Sequence, residues 1–232
     1  MLLTAAALKA SVYYAPFLKY NWITAPTFAP WLLGFGRPDS VALTFDDGPD
    51  PISTPKVLKA LEDHGVTATF FLLGEMVERH PQIAREILAH GHELGLHGFY
   101  HKSHLRRSTR SLRYDLGRSI AAIEAATGVR PAFFRPPYGI ITRGTLVAAH
   151  AHSLRTVLWG TWGKDWRRRT TSVSLLADVR SRFKPGVTIL LHDSDCTSYP
   201  GSFQPTIKAI PQLANLVRSE GLAFSTLSRH GI

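Results

Sequence analysis

From Val41 to the end of the chain, short apolar runs alternate with longer amphipathic ones about seven times. The runs at 41–45, 67–73, 93–96, 132–134, 154–159, 187–191 and 222–226 are rich in β-branched and aromatic residues and read as strands. Between them the spacing predicts helices at 54–64, 75–90, 111–127, 143–151, 172–183 and 204–219. Gly65, Gly91, Gly128 and Gly221 fall just past four of these helices, where a left-handed cap is expected. Such alternation confines the chain to α/β architecture with a parallel sheet, either a closed barrel or a doubly wound sheet. In both, function collects at the carboxyl ends of the strands.

Polar, titratable residues end five of the seven expected strands. Asp46 and Asp47 follow the first, His97 and His101 the third, and Arg135 the fourth. Asp165 and Trp166 lie in the loop after the fifth, and His192 and Asp193 follow the sixth. On a barrel these groups converge on one mouth. The Asp46-Asp47 pair alone also fits a polar turn, because Asp, Gly and Pro are the usual turn residues and Gly48-Pro49-Asp50 follow. Five coincident strand ends weigh against that simpler reading.

His97 and His101 are four apart, a spacing that lets two imidazoles face one point on a helical turn. With one carboxylate they make a His2Asp set, three protein ligands with positions left open, as in a catalytic metal site. A metal so held polarises a carbonyl and acidifies its water. Hydrolysis then needs a base, which Asp46 beside the ligand suits, and an acid for the leaving group. His192 is placed for that second task, since an ordinary imidazole titrates near neutral pH. Arg135 would keep Asp46 ionised and oriented, and Asp165 would raise the pKa of His192.

Taken in order, Thr44-Phe45-Asp46-Asp47-Gly48, His97-Gly98-Phe99-Tyr100-His101, Arg135-Pro136-Pro137-Tyr138-Gly139, Asp165-Trp166 and Leu190-Leu191-His192-Asp193 resemble the five motifs of the polysaccharide deacetylase family, the NodB-homology domain of family-four carbohydrate esterases. The resemblance covers roughly residues 41–227. It implies a distorted (β/α)7 TIM-like barrel and metal-dependent removal of acetyl from an N-acetylated sugar. By position it makes Asp46 the base, Asp47, His97 and His101 the metal ligands, and His192 the acid. Arg135 then supports Asp46, and Asp165 tunes His192. Among substrate-binding residues it implies Pro136, the backbone N–H of Tyr138 at the oxyanion, and Trp166 and Leu190 as walls of the acetyl pocket. Zn2+ is the expected metal, with Co2+, Mn2+ or Ni2+ competing for the same donors. One departure is Gly98, where the family pattern has Ser or Thr. The ligand set is expected to survive it, with a looser ligand loop.

Composition narrows the partners. The formal net charge is +10, which favours anionic ones. The basic residues cluster at Lys102, Arg106, Arg107, Arg110, Arg113 and Arg118, and again at Lys164, Arg167, Arg168 and Arg169. Both clusters adjoin loops that carry expected site residues. Neither has zinc-finger spacing or an aromatic RNP pattern, so nucleic acid is disfavoured. One cysteine, Cys196, excludes an internal disulfide framework.

Residues 1–36 form a separate arm before a catalytic domain at 37–232. The arm carries Lys9 and Lys19, no acid, and many aromatics including Tyr13, Trp22 and Trp31. It lacks the pattern of a cleavable signal peptide. Its uncharged stretch at 20–36 is interrupted by Pro26 and Pro30 and is short for a membrane span. The arm therefore reads either as an interfacial membrane segment or as packing for the domain. The expected substrate is an N-acetylhexosamine glycan or glycoconjugate. A lipid-linked amino sugar at an anionic membrane surface would also account for the charge and the arm, with a cell-envelope or membrane-associated location. The alternatives are a same-fold hydrolase of cyclic imides or other non-sugar amides, and a non-catalytic glycan- or membrane-binding module.

Overall fold

The computed structural model describes residues 30–232, so most of the arm, Tyr13 and Trp22 included, lies outside the described residues. Strand β1 (Ser40–Asp46) is the centre of the sheet, and all seven of its residues are buried. It lies between β2 (Thr69–Leu72) and β7 (Thr188–His192), parallel to both. Its first residues, 40–42, pair with β8 (Ala223–Ser225). Beyond β2 the parallel sheet continues through β3 (Glu93–Leu96), β4 (Phe133–Phe134) and β5 (Arg155–Thr156). Beyond β7 it continues to β6 (Thr161–Trp162).

Strands β5 and β6 are the two ends of that order, yet they are neighbours in sequence. The segment 155–162 thus closes a distorted (β/α)7 barrel. Its first half bonds toward β4, with Arg155 N–H donating to Ala132 O and Val157 N–H to Phe134 O, each at 2.9 Å. Its second half bonds toward β7, with Gly160 N–H donating to Thr188 O at 3.0 Å. Of the strand expected at 154–159 only Arg155–Thr156 pairs as one, and β6 beyond it is a strand the sequence reading did not expect. Gly160 sits at the crowded break: a Cβ there would stand 2.6 Å from Val187 and 2.8 Å from Phe35. Midway, Leu158 N–H donates to Leu32 O at 2.7 Å, and Thr188 Oγ1 to Gly34 O at 2.5 Å. Residues 32–34 thereby brace the closure.

The helices are α1 (Thr54–Asp63), α2 (Gly74–Arg79), α3 (Pro81–Ala89), α4 (Thr109–Thr127), α5 (Arg143–Ala151), α6 (Ser172–Arg180), α7 (Phe203–Ser219) and α8 (Leu227–His230). The one helix expected at 75–90 is two, because Pro81 bars helical geometry from the residue before it and His80 sits at φ −134, ψ 56. The four expected capping glycines all have positive φ, between 58 and 79°. No helix among the described residues is long and apolar enough to cross a membrane.

The pleat of β1 divides its side chains between two environments. Val41, Leu43 and Phe45 join the main core with residues of α1, α4, α6 and α7. Ala42 faces the other way, with Phe71, Phe133, Val157, Leu227 and Ile232. Thr44 and Asp46 share that face. Phe71 separates Ala42's apolar neighbours from the charges above, since the Arg135 guanidinium lies 4.1 Å over its ring.

Candidate active site and metal centre

The carboxyl end of β1 delivers two carboxylates in different directions. Asp46 is the last residue of the strand and is 2 % exposed. Asp47 turns off the strand at φ 79 and is fully buried. Left-handed geometry at a non-glycine residue is uncommon, and it separates the two side chains. Gly48 follows in a spot where a Cβ would meet Asp193 Oδ2 at 2.3 Å. No larger residue fits this turn without displacing that carboxyl, which also accepts from Thr54 Oγ1 at 2.5 Å. Burial pushes Asp193 up to about 7.

Asp46 is tied to the fully buried Arg135, whose Nη1 donates to Asp46 Oδ1 and to Thr44 Oγ1, each at 2.8 Å. Arg135 Nη2 donates to Leu158 O at 2.8 Å. Burial raises the Asp46 pKa above the ordinary carboxylate range, against the pull of Arg135. A carboxylate raised in this way is a better proton acceptor near neutral pH. Its partner across the sheet is His192, in register with Asp46 on β7. Asp165 Oδ1 is 2.8 Å from His192 Nδ1, and Asp165 Oδ2 accepts from Thr206 Oγ1 at 2.8 Å. Burial works against the imidazolium, but Asp165, with Asp47 and Asp46, outweighs it and raises His192 to about 10.

The third group is Asp47, His97 and His101, whose donor atoms all lie within 4.8 Å of one another. Asp47 Oδ1 is 3.4 Å from Nε2 of each histidine. Donors around a single tetrahedral ion at ordinary zinc distances stand about 3.4 Å apart. Asp47 Oδ1 is buried with no hydrogen-bond partner among the described residues, an orphan that a cation would satisfy. His97 Nδ1 lies 2.8 Å from Arg135 O, which sets the proton on Nδ1 and leaves the Nε2 lone pair facing Asp47. Burial holds His97 down to about 3, so it is a neutral donor. Thr197 Oγ1 donates to Asp47 Oδ2 at 2.5 Å and orients the carboxylate from the loop after β7. The residues present fit a divalent metal.

These groups open on one cavity of about 470 Å³. Asp46, His97, His101 and His192 line it, as do Tyr138, Trp166 and Leu190. Tyr138, at φ 61, sits in a single 3-10 turn and packs edge-on to His101 at 4.4 Å. Trp166 packs edge-on to His192 at 5.6 Å. Pro136 is different: it is buried and does not line the cavity. Its carbonyl accepts the Gly139 N–H at 2.9 Å, so it closes the turn that presents Tyr138.

The sequence reading missed part of the wall. Trp159 and Trp162 line the cavity from the barrel closure, and Thr197, Ser198 and Tyr199 from the loop after β7. Gly98 also differs from expectation. It has φ 102, a conformation that suits glycine, and the loop is not free. Asp115 Oδ2, from α4, accepts the Phe99 N–H at 2.9 Å, and Arg107 holds the other Asp115 oxygen at 2.9 Å.

A family model for polysaccharide deacetylase matches residues 35–157. The chain belongs to the polysaccharide deacetylase family. It is 34% identical over 208 residues to a peptidoglycan-N-acetylglucosamine deacetylase of Bacillus cereus, covering 90% of this chain and 73% of that one. It is 33% identical to a chitooligosaccharide deacetylase of a Bradyrhizobium strain, over 81% of this chain and 89% of the relative. Among solved structures, a family 4 acetyl xylan esterase from Clostridium thermocellum in complex with a cobalt ion superposes with a TM-score of 0.75 at 33% identity, covering 82% of this chain and 88% of that one.

Proposed function

We propose that this deacetylase removes N-acetyl groups from N-acetylhexosamine residues of a glycan by metal-assisted hydrolysis. One observation carries the reading: a raised Asp46 on Arg135 and a protonated His192 on Asp165 flank the Asp47-His97-His101 donor set in one cavity. Two groups whose environments set them for opposite proton duties are the signature of an acid–base pair.

When bound by Asp47, His97 and His101, the metal polarises the acetyl carbonyl and acidifies water. Asp46 accepts the proton of the attacking water, held in place by Arg135. The C–N bond then breaks as protonated His192 delivers its proton to the amine nitrogen, leaving acetate and a free amino sugar. Asp165 keeps the imidazole charged and oriented for that transfer. Trp162, Trp166 and Leu190 offer apolar walls suited to the acetyl methyl group.

Zinc is the metal we favour, since two imidazoles and a carboxylate suit it; cobalt, present in the solved relative, suits the same donors. The two similar deacetylases are named for peptidoglycan and chitooligosaccharide, which supports a cell-envelope glycan as substrate here. The net charge of +10 supports an acidic or lipid-linked form of it near an anionic membrane surface. Hydrolysis of cyclic imides is not favoured by these relatives. A purely binding role is disfavoured, because every proton-transfer and ligand position is filled.

The test is acetate release by the zinc- or cobalt-loaded protein from chitooligosaccharides and peptidoglycan fragments. Asp46→Asn should abolish release and keep the metal bound. Full activity in that variant would sink the mechanism.

A further inference from the structure

The loop that brings His97 and His101 to the active site also lines a second cavity, of about 290 Å³, through Tyr100 and Lys102. Helix α4 and the residues just before it supply the rest of the wall, including Arg107, Tyr114, Asp115 and Arg118. Three cations thus face a single carboxylate. That carboxylate is already engaged, by Arg107 Nη2 and by the Phe99 N–H.

Arg107 Nη1 is buried and has no hydrogen-bond partner among the described residues. Buried guanidinium N–H groups are almost always satisfied, by protein, water or ligand, so this one leaves room for an acceptor from outside the chain. The Arg118 guanidinium carbon stands 3.6 Å from the centre of the Phe99 ring, and Arg118 pairs with Glu78 at 3.1 Å. Lys102 is exposed, sits 4.7 Å over the Tyr100 ring and makes no ion pair among the described residues. Arginine's planar fork matches two oxygens of a carboxylate or phosphate, and a lysine adds a mobile point charge.

We propose that this cavity is a subsite for an oxyanion, a phosphate or a carboxylate, carried by the glycan next to the sugar being deacetylated. The inference rests on the deacetylase reading and deepens it, by naming an acidic glycan as the substrate class. Contiguity supports it. Tyr100, His101 and Lys102 are consecutive, with Cα atoms about 3.8 Å apart, and they line the two cavities in turn. The two cavities are therefore divided by this one stretch of loop, and a glycan that passes over it meets both. Arg106, Arg110 and Arg113 in the same stretch add a positive field that draws such a ligand in.

The experiment compares kcat/KM for neutral chitotetraose with that for N-acetylated oligosaccharides bearing either an ether-linked carboxylate or a phosphate ester. The metal-loaded wild type should prefer an anionic substrate. Lys102→Gln and Arg118→Gln should each lower the anionic-to-neutral ratio about tenfold, and Lys102→Arg should retain it. Whichever anionic arm shows the larger loss identifies the oxyanion. A ratio unchanged in both Gln variants overturns the subsite. Calorimetric titration with N-acetylglucosamine 6-phosphate and N-acetylmuramic acid runs beside it and needs no turnover. Binding that Lys102→Gln weakens supports the subsite even if no acetate is ever released. Absent or unaltered binding overturns it without touching the deacetylase reading.

Discussion

Asp165 meets His192 at two points: Oδ1 lies 2.8 Å from the imidazole Nδ1, and Oδ2 accepts the His192 backbone N–H at 2.7 Å. The carboxylate therefore fixes both the ring and the strand end that carries it. With Nδ1 bound to Asp165, Nε2 is the nitrogen left to deliver a proton.

Asp165→Asn should move the alkaline limb of the pH–rate profile. In the native protein His192 is raised to about 10, so the acid stays protonated across neutral pH and is lost only as pH rises through that value. Without the Asp165 charge, burial dominates and the limb should fall to the ordinary histidine range or below. Deacetylation at pH 8 should drop by about 10²–10⁴, and by less at pH 6. Stability follows the same sign. The pair's contribution is complete below the unfolded histidine pKa and fades as pH rises toward 10, a loss the variant should not show. Rate profiles and urea melts at several pH values check both.

Arg135→Met should destabilise the fold by about 3–5 kcal/mol, the range for stripping one partner from a buried ion pair. The guanidinium donates to Asp46 Oδ1, Thr44 Oγ1, Leu158 O and, at 3.4 Å, Val157 O, so its loss strips a donor from four acceptors at once. In whatever protein still folds, Asp46 loses its only ion-pairing arginine and its pKa should climb further. The acid limb of activity should then shift upward. Denaturant titration with a pH–rate profile measures each part.

Gly98→Ser restores a residue type usual in the family, yet it should cost about 1–3 kcal/mol, because φ 102 is a region in which side chains are strained. Asp115→Asn should cost metal affinity instead, about 10–100-fold, by loosening the ligand loop at Phe99. Thermal melts of the first and metal titration of the second decide. A stable serine variant with tighter metal binding would mean that the loop adopts a different conformation from the one described.

Much of the site was legible because strand ends announce themselves. An apolar run that stops at Asp46-Asp47, or at His192-Asp193, is a local signal that needs no knowledge of the partner strand. The helix break at Pro81 was equally local and was there to be read. Other features depend on contacts far apart in the chain. Thr197 orients Asp47 across 150 positions, and nothing in Thr197-Ser198-Tyr199 marks it as a wall of the cavity. The need for glycine at 160, just before β6, comes from Val187 and Phe35, neither of them near in sequence. The clamp of Asp115 on Phe99 also spans a helix and a loop, so Gly98 looked like a loss of order when the order comes from elsewhere.

The closure of the barrel separates two jobs mechanically. Asp46 and His192, the proposed base and acid, stand on β1 and β7, the register-locked centre of the sheet. Trp159 and Trp162 stand on or beside two-residue strands where one piece of chain spans the seam. This part of the cavity wall is therefore built on the most thinly paired part of the ring. Its shape is free to change, by substitution or by breathing, while the spacing of the proton-handling groups stays fixed.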